Sequence, residues 1–477
     1  MRAVLLALLA ASCGLAQTQP IVFRHVTVID ATGAAPRKNV DVVISAGVIQ
    51  SIGAKGRLPR NVRVIEAKGK FLIPGLWDMH MHLALPQIFF PLLLANGIIG
   101  VREMFTGIPM NTIRTWRALP DAPRIVASGF IDGPPMLSNG PPPPGAFAVA
   151  APDQGRFAVR ALAQSGVDFI KIYSSVPRDA YFAIAQEARA IGITFAGHVP
   201  EEVSPLEASE AGQRSQEHLN NILLACSTRE KELRAERVST MLSQQISGEE
   251  RLRLLAFPLT EGLFDTYSEE KAAALFQTFV RNGTWQTPTL SLLSGFAHMP
   301  DDDFVHDPRR KYLLPAWNEA WDPKKTFFLK DLSADQYAAL NTRIRALLAR
   351  HEKLVGDMHR AGVEFLAGTD TNGWNPVFPG FGLHDELELL VDSGLTPMEA
   401  LQTATRNPAM YFGSLAQTGT VQAGKIADLV LLDADPLLDI RNTRKIDAVI
   451  MRGRYYSRQD LDALLAGAAG YAAKNHS

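Results

Sequence analysis

The feature that most limits how this chain can fold is a series of eight short apolar segments spread over its middle. Helical patterns separate most of them, with apolar residues at three- and four-residue spacing, as in 178–191 and 268–282. Strands that alternate with helices in this number indicate a parallel barrel, so the sequence predicts an α/β fold with a (β/α)₈ TIM barrel. The predicted strands are residues 71–82, 98–103, 124–129, 169–173, 194–198, 215–218, 284–288 and 364–370.

Strand patterns at both ends of the chain indicate a second, smaller unit. Residues 21–65 contain four short strand patterns punctuated by Gly and Pro, and residues 427–453 contain two more. We expect the two ends to meet outside the barrel in a small antiparallel β-sandwich. The predicted boundaries are 20–70 and 413–460 for the two parts of the sandwich, 71–412 for the metal-dependent barrel and 461–477 for a C-terminal tail.

The first residues of the chain have the pattern of a secretory signal peptide. One positive charge, at Arg2, precedes an apolar run that is too short to span a bilayer as a mature helix. Two processing schemes fit: cleavage after Ala16, which makes residues 1–16 the signal peptide, or lipidation of Cys13 in a lipoprotein-like sequence. We expect a secreted or periplasmic protein without a membrane span, and plain secretion is the preferred scheme over a lipid anchor.

The overall charge gives no reason to expect nucleic acid or an anionic membrane surface as a partner. Lysine plus arginine number 48 against 49 for aspartate plus glutamate, which leaves a net charge of -1. The expected partner is therefore a small-molecule substrate. Cys13 and Cys226 are the only cysteines, and since Cys13 is either removed or lipidated, no intramolecular disulfide is expected.

Residues of metal-ligand type stand where several predicted strands end. Alternate side chains of a strand share one face, so His80 and His82 lie side by side at the end of the first strand. Each candidate alone has a structural explanation, as an exposed strand face, a core histidine, a helix cap or a turn. Carboxyl ends of parallel barrel strands converge on one mouth, however, so together they predict a site for Zn²⁺ or a similar divalent ion. The further candidates are Lys171, His198, His218 and Asp370.

These same segments resemble a known family. Residues 74–82, 169–173, 197–200, 217–219 and 368–370 look like the metal motifs of the amidohydrolase superfamily, and in particular of its imidazolonepropionase-like and prolidase-like branch. Residues 383–387, 394–401, 404–409 and 424–430 resemble the same branch. The resemblance extends from about residue 22 to about residue 460.

The resemblance implies a site with two metal ions. His80, His82 and Asp370 would hold one ion, and His198 with His218 would hold the other. Lys171, carboxylated on its amine by carbon dioxide, would bridge the two ions together with a hydroxide. An unmodified ammonium, with a pKa of ~10.4, would repel a dication, whereas a carbamate offers one anionic oxygen to each ion.

This site implies hydrolysis of an amide or related carbon–nitrogen bond by the metal-bridged hydroxide. Two dications make hydroxide available at neutral pH, and ~7 is a typical pKa for zinc-bound water. Asp370 would act as general base and then as general acid toward the leaving amine. The expected substrates are a dipeptide, an acylated amino acid, a cyclic amide or a lactone-like compound.

Three further residues are candidate substrate contacts. Arg102 and Tyr173 lie near strand ends and are expected to meet a substrate carboxylate, although Arg102 suits a buried ion pair equally well. His384 opens the last helical region and is a candidate mouth residue. The proline-rich residues 131–153 form either a substrate-facing loop or a spacer. Residues 138–145 lack the histidine that prolidase-like relatives commonly carry in this region, which puts that peptidase activity in doubt.

Two other functions stay open. A mononuclear deaminase or an imidazolone-type cyclic amidase would hold one ion and leave Lys171 unmodified. A catalytically silent periplasmic binding protein would have lost at least one ligand, and the sequence lacks none of them. Oligomerisation is common in the family, so a homo-oligomer is a further expectation that no residue pattern decides.

Overall fold

The structure is a computed structural model that describes residues 19–53, 61–134, 142–243, 245–257, 262–326 and 329–475. The β-strands are β1 Ile21–Val28, β2 Arg37–Ser45, β3 Val48–Gly53, β4 Arg63–Glu66, β5 Phe71–Pro74, β6 Leu76–Met81, β7 Ile98–Glu103, β8 Arg124–Asp132, β9 Ala146–Ala148, β10 Phe169–Ile172, β11 Phe195–Gly197, β12 Ser215–Glu217, β13 Trp285–Thr287, β14 Leu429–Leu432, β15 Ile446–Met451 and β16 Arg454–Ser457.

The α-helices surround and connect these strands. They are α1 Pro86–Ala95, α2 Met110–Arg117, α3 Pro152–Ser165, α4 Arg178–Ile191, α5 Pro205–Glu210, α6 Ile222–Ala225, α7 Glu230–Met241, α8 Gly248–Ala256, α9 Glu269–Asn282, α10 Leu290–His298, α11 Asp302–Val305, α12 Pro315–Ala320, α13 Ala334–Arg360, α14 Gly382–Asp392, α15 Pro397–Thr403, α16 Arg406–Tyr411 and α17 Arg458–Lys474. Two 3₁₀ helices lie at Pro308–Tyr312 and Ile440–Arg444.

The first sheet is a nearly closed parallel barrel. Its strands pair in the order β6, β7, β8, β10, β11, β12 and β13, and the short β9 adds to β8. Residues 364–371 take the place of the eighth strand as an extended segment, because Phe365 bridges to Gln286 at one edge and Thr371 to Met81 at the other. The predicted α/β barrel is confirmed, with seven regular parallel strands and one that is held by isolated bridges.

The barrel strands are buried on both faces, as parallel strands covered by helices should be. Every residue of β7 and of β10 is buried. Two of the outer helices match the predicted ranges, and local signals define them. Ser268 caps α9 by accepting a hydrogen bond from the Lys271 amide, and Gly283 ends the same helix in a left-handed conformation.

The second sheet joins the two ends of the chain. Its order is β3, β2, β1, β5, β14, β15 and β16, with β4 also beside β1. β14 pairs with β5, while β1 pairs in parallel with both β4 and β5. The structure therefore has one mixed sheet in this region, and the predicted antiparallel sandwich is not confirmed.

The chain passes from this sheet into the barrel at Gly75. The sequence placed residue 71 in the first barrel strand, but Phe71–Pro74 pairs with β14 in the terminal sheet. A side chain at Gly75 would come within 2.5 Å of the Ile99 side chain. The backbone amide of Gly75 donates to the carbonyl of Asp428 at 2.9 Å. The boundary between the two units is thus set by a close approach that needs glycine.

The C-terminal residues form a helix that covers the barrel. α17 packs against α1, so the segment predicted as a tail from residue 461 lies largely within a regular helix. In the part of the chain that the structure describes, no helix has both the length and the apolar character needed to cross a membrane.

Candidate metal centre

A cavity of about 440 Å³ opens at the carboxyl ends of the barrel strands. The structure brings all the predicted metal ligands together in its lining: His80, His82, Lys171, His198, His218 and Asp370. They come from the ends of four strands, β6, β10, β11 and β12, and from the extended segment 364–371, which explains why residues far apart in sequence meet here.

One group of ligands gathers around Asp370. Its Oδ1 lies 2.9 Å from Nε2 of His82 and 3.4 Å from Nε2 of His80. The backbone amide of Asp370 also donates to the carbonyl of His80 at 2.6 Å. One ligand atom from each of these three residues lies within 4.8 Å of the other two, so the group could hold a metal ion.

The other ligands lie beside this group. The ring centroids of His80 and His218 are 4.4 Å apart, and those of His198 and His218 are 4.9 Å apart. Nζ of Lys171 is 3.5 Å from Nε2 of His80. Lys171 is buried and lines the same cavity as His198 and His218.

Each of the four histidines has its Nδ1 engaged by a supporting group. A carboxylate and a carbonyl can only accept, so Nδ1 of His80 and of His82 carries the proton. Nε2 of these two rings is then the nitrogen that faces the Asp370 carboxylate on the cavity side, which is the arrangement typical of metal-binding histidines. The partners are Glu217 Oε2 for His80 (2.8 Å), the Phe105 carbonyl for His82 (2.7 Å), Ser174 Oγ for His198 (2.7 Å) and Thr289 Oγ1 for His218 (2.7 Å).

The electrostatics favour an ionised carboxylate and neutral rings at His80, His198 and His218. At His82 burial alone would lower the pKa, but the hydrogen bond to Asp370 raises it. Burial lowers the pKa of His80, and it lowers that of His218 to about 3. Burial alone would raise the pKa of Asp370, but the neighbouring histidines hold it well below its ordinary value. Burial also lowers the pKa of the Lys171 amine, to about 8. Neutral imidazoles and a carboxylate are the forms in which these groups bind metal ions.

Asp78 ties the first barrel strand to the extended segment. Its Oδ1 accepts from the amides of His80 and Thr369, both at 3.1 Å, and its Oδ2 accepts from the Thr369 hydroxyl at 2.6 Å. These hydrogen bonds fix the segment that carries Asp370 against the strand that carries His80. The alternation of side chains along the strand puts Asp78 on the same face as His80 and His82, but it does not indicate this role.

Arg102 lies below the cavity and does not line it. Its side chain is fully buried, and Nη2 donates to both carboxylate oxygens of Glu217 at 2.8 Å. Other guanidinium hydrogen bonds go to the carbonyl of Met79 and to the hydroxyls of Ser215 and Tyr411. The predicted substrate contact is thus wrong for Arg102, because its donors are used within the barrel. Through Glu217 it supports His80 instead.

The other two predicted substrate contacts have different positions. Tyr173 lines the cavity with its ring stacked on His198 at 4.1 Å, and among the described residues no group hydrogen-bonds its hydroxyl. His384 is buried away from the cavity, and its Nδ1 contacts the Thr443 hydroxyl at 3.0 Å. The prediction that His384 is a mouth residue is wrong, because the start of α14 packs against the 3₁₀ helix Ile440–Arg444.

Sequence reasoning missed the side chains that shape the rest of the cavity. One wall is aromatic, because Phe105 and Phe130 stack at 4.7 Å and Phe130 contacts Tyr173 at 5.2 Å. Further apolar lining comes from the end of α8 and from α10, two helices for which no role was predicted. Only the apolar character of these helices could have indicated that they line the cavity. No described residue of 131–153 lines the cavity, and 135–141 lie outside the described residues.

Several residues at the cavity mouth have a positive φ, a backbone conformation that residues other than glycine rarely adopt. φ is +56° at Asp370, +62° at His218, +50° at Thr289 and +84° at Phe105. All four line the cavity. Such conformations cluster at functional sites, where the surrounding structure maintains them.

Parts of the chain are similar to known proteins. Residues 264–455 match the model of the amidohydrolase family. Ochratoxinase from Aspergillus niger is 35% identical over 109 residues, 22% of each chain, and imidazolonepropionase from Pyrobaculum arsenaticum is 42% identical over 82 residues, 17% of this chain and 19% of that one. The chain thus aligns with about a fifth of the length of these relatives.

A solved structure extends the likeness to the fold of the whole chain. A putative prolidase from Bifidobacterium longum has a TM-score of 0.64 at 23% identity, over 95% of this chain and 99% of that one. The prolidase shares the arrangement of barrel and terminal sheet across almost the entire length. At this identity the likeness shows a common fold.

Proposed function

We propose that the chain is a metal-dependent hydrolase of a carbon–nitrogen bond, because residues 264–455 match the model of the amidohydrolase family. The observation that carries the proposal is the convergence of four histidines, Lys171 and Asp370 in one cavity. Each histidine presents its ring to that cavity while a second residue holds its Nδ1, an arrangement that a merely structural cluster would not need.

We further propose two divalent ions, with Zn²⁺ as the first candidate. The donor set suits them: His80, His82 and Asp370 would hold one ion, and His198 with His218 the other. Lys171, beside both groups, would bridge the ions as a carbamate. Bound dications would lower the pKa of a coordinated water molecule and polarise the substrate carbonyl.

Asp370 is the proposed proton carrier. Its Oδ1 lies 2.9 Å from Nε2 of His82, and its side chain borders the same space in which a substrate would lie. An ionised carboxylate at this position can take a proton from the attacking water and deliver it to the leaving nitrogen. Glu217 and Asp78 move no proton in this scheme and serve to orient His80 and the Asp370 segment.

A mononuclear enzyme is the second candidate, and one observation favours it. The ligand atoms of His80, His82 and Asp370 are the set within 4.8 Å of one another among the described residues. One ion bound there would leave Lys171 as a free amine. Such a site would suit a deaminase or an imidazolone-type cyclic amidase.

Metal content and hydrolysis, measured on the same samples, separate these candidates. The parent protein is compared with Lys171→Ala and with Lys353→Ala, a matched control in which an exposed lysine of α13 is removed. Two ions per chain in the parent and in the control, with metal and activity lost in Lys171→Ala, would support the bridged site. One ion in all three proteins would refute it and leave the mononuclear candidate.

We also propose that the protein is exported. The support is the apolar start of the sequence, which lies outside the described residues. The mass of the mature protein tests the processing scheme: loss of residues 1–16 indicates plain secretion, and a lipid-modified Cys13 indicates an anchor. A full-length chain in the cytoplasm would contradict both.

A further inference from the structure

The cavity beyond the metal-ligand group has two apolar walls. Phe105, Phe130 and the ring of Tyr173 form one of them. Leu255 from α8 and Leu293 with Phe296 from α10 form the other, and these three side chains are buried apart from the face they present to the cavity. A substrate group that contacts either wall therefore meets apolar side chains.

The lining is poor in positive charge away from the metal ligands. Among the described residues, Lys171 is the one lysine or arginine that lines the cavity. His351 also borders the apolar wall, but burial lowers its pKa to about 4, so its ring is neutral at pH 7.

The polar groups that remain available in the cavity are uncharged. The Tyr173 hydroxyl and the Asn220 side-chain amide border it, and neither has a hydrogen-bond partner among the described residues. Hydroxyl and amide groups recognise neutral carbonyl or amide groups, whereas a carboxylate taken out of water without a cation loses its hydration uncompensated.

We propose that this site selects substrates whose part facing away from the metal ligands is uncharged and apolar, of aromatic size. The substrate class is thus a neutral aryl or alkyl amide, and dipeptides and N-acyl amino acids with a free carboxylate beside the scissile bond are disfavoured. The proposal rests on the proposed function of the site. It narrows the four substrate classes that the sequence left open.

A pair of substrates that differ only in this charge gives the direct test. Hippuryl-phenylalaninamide and hippuryl-phenylalanine share one skeleton and end in a carboxamide and a carboxylate, respectively. We expect kcat/KM for the carboxamide to exceed that for the carboxylate at least tenfold. An equal or higher value for the carboxylate would overturn the proposal.

A binding measurement tests the same selectivity without turnover. Calorimetry on the metal-free protein compares 3-phenylpropanamide with 3-phenylpropanoate, and we expect the amide to bind at least tenfold more tightly. Leu292→Lys places a cation on the half-buried side chain of α10 next to the wall, and it should reduce or reverse the preference. Leu292→Met, of similar size and without charge, should preserve it.

The outcomes separate this inference from the proposed function. If the amide binds more tightly but neither substrate is hydrolysed, the selectivity stands and the hydrolase proposal fails. If hydrolysis depends on Lys171 but the carboxylate is preferred, the hydrolase proposal stands and the selectivity fails. Tighter binding of the carboxylate probe, or no saturable binding of either probe, also overturns the selectivity.

Discussion

The buried pair of Arg102 and Glu217 offers the sharpest test of how the metal ligands are supported. Both side chains have no exposed surface, and Glu217 also holds Nδ1 of His80. Arg102→Met removes the guanidinium and keeps an apolar side chain of similar length. Glu217 then remains as a buried carboxylate without its cation, and breaking such a pair costs about 3–5 kcal/mol of unfolding free energy.

The companion variant shows whether the charge itself is responsible. Glu217→Gln removes the negative charge but keeps an oxygen that can accept from His80. In the double variant no uncompensated charge is buried, so we expect it to recover much of the loss, with a coupling energy of about 1–3 kcal/mol between the two positions.

Denaturant titration of the metal-free proteins measures these differences, with fluorescence of the six tryptophans as the signal. Removal of metal keeps ion binding out of the comparison. The reasoning fails if Arg102→Met is as stable as the parent, or if the losses of the two single variants simply add in the double variant. Additive losses would mean that Arg102 acts through packing and its other hydrogen bonds.

Three further predictions follow from the site and its surroundings. Burial raises the pKa of Glu386 to about 8, so the folded protein loses stability as pH rises from about 4.5 to about 8. Glu386→Gln cannot ionise, so its unfolding free energy in urea titrations should rise relative to that of the parent by up to about 1.4 kcal/mol per pH unit over that range. Ser174→Ala and Thr289→Ala remove the hydroxyls that hold His198 and His218, and competition with a chromophoric chelator should show about 10–100-fold weaker metal binding. Chelation should lower the unfolding free energy of the parent by about 2.7 kcal/mol relative to protein with metal at 100 times its Kd, and no change in the denaturation midpoint would contradict a bound ion.

The metal-ligand group could be predicted from the sequence because each ligand is marked by local signals. His80 and His82 follow an apolar run with strand periodicity, and Asp370 follows another. Once the number of strands indicated a barrel, the fold itself brought these ends together. The meeting of these distant ligands was thus inferred from the barrel topology and not from contacts between individual pairs of residues.

Features that depend on a single side-chain contact could not be predicted. Whether Arg102 points into the cavity or into the barrel is decided by the acceptor that Glu217 provides across the sheet. The position of His384 likewise depends on how α14 packs. The transition at Gly75 was missed because strands of both sheets follow one another there with the same apolar pattern.

The left-handed residues at the cavity mouth affect which substitutions would stabilise this protein under selection. Each such backbone costs about 1–3 kcal/mol in a residue other than glycine, and Phe105 and Thr289 are neither the asparagine nor the aspartate that adopts it most readily. A library selected for heat resistance alone should therefore collect glycine at these positions, since glycine relieves the cost. The same replacements would remove an aromatic side chain from the cavity wall and the hydroxyl that holds His218. Selection for heat resistance alone is therefore expected to reduce the activity of the site.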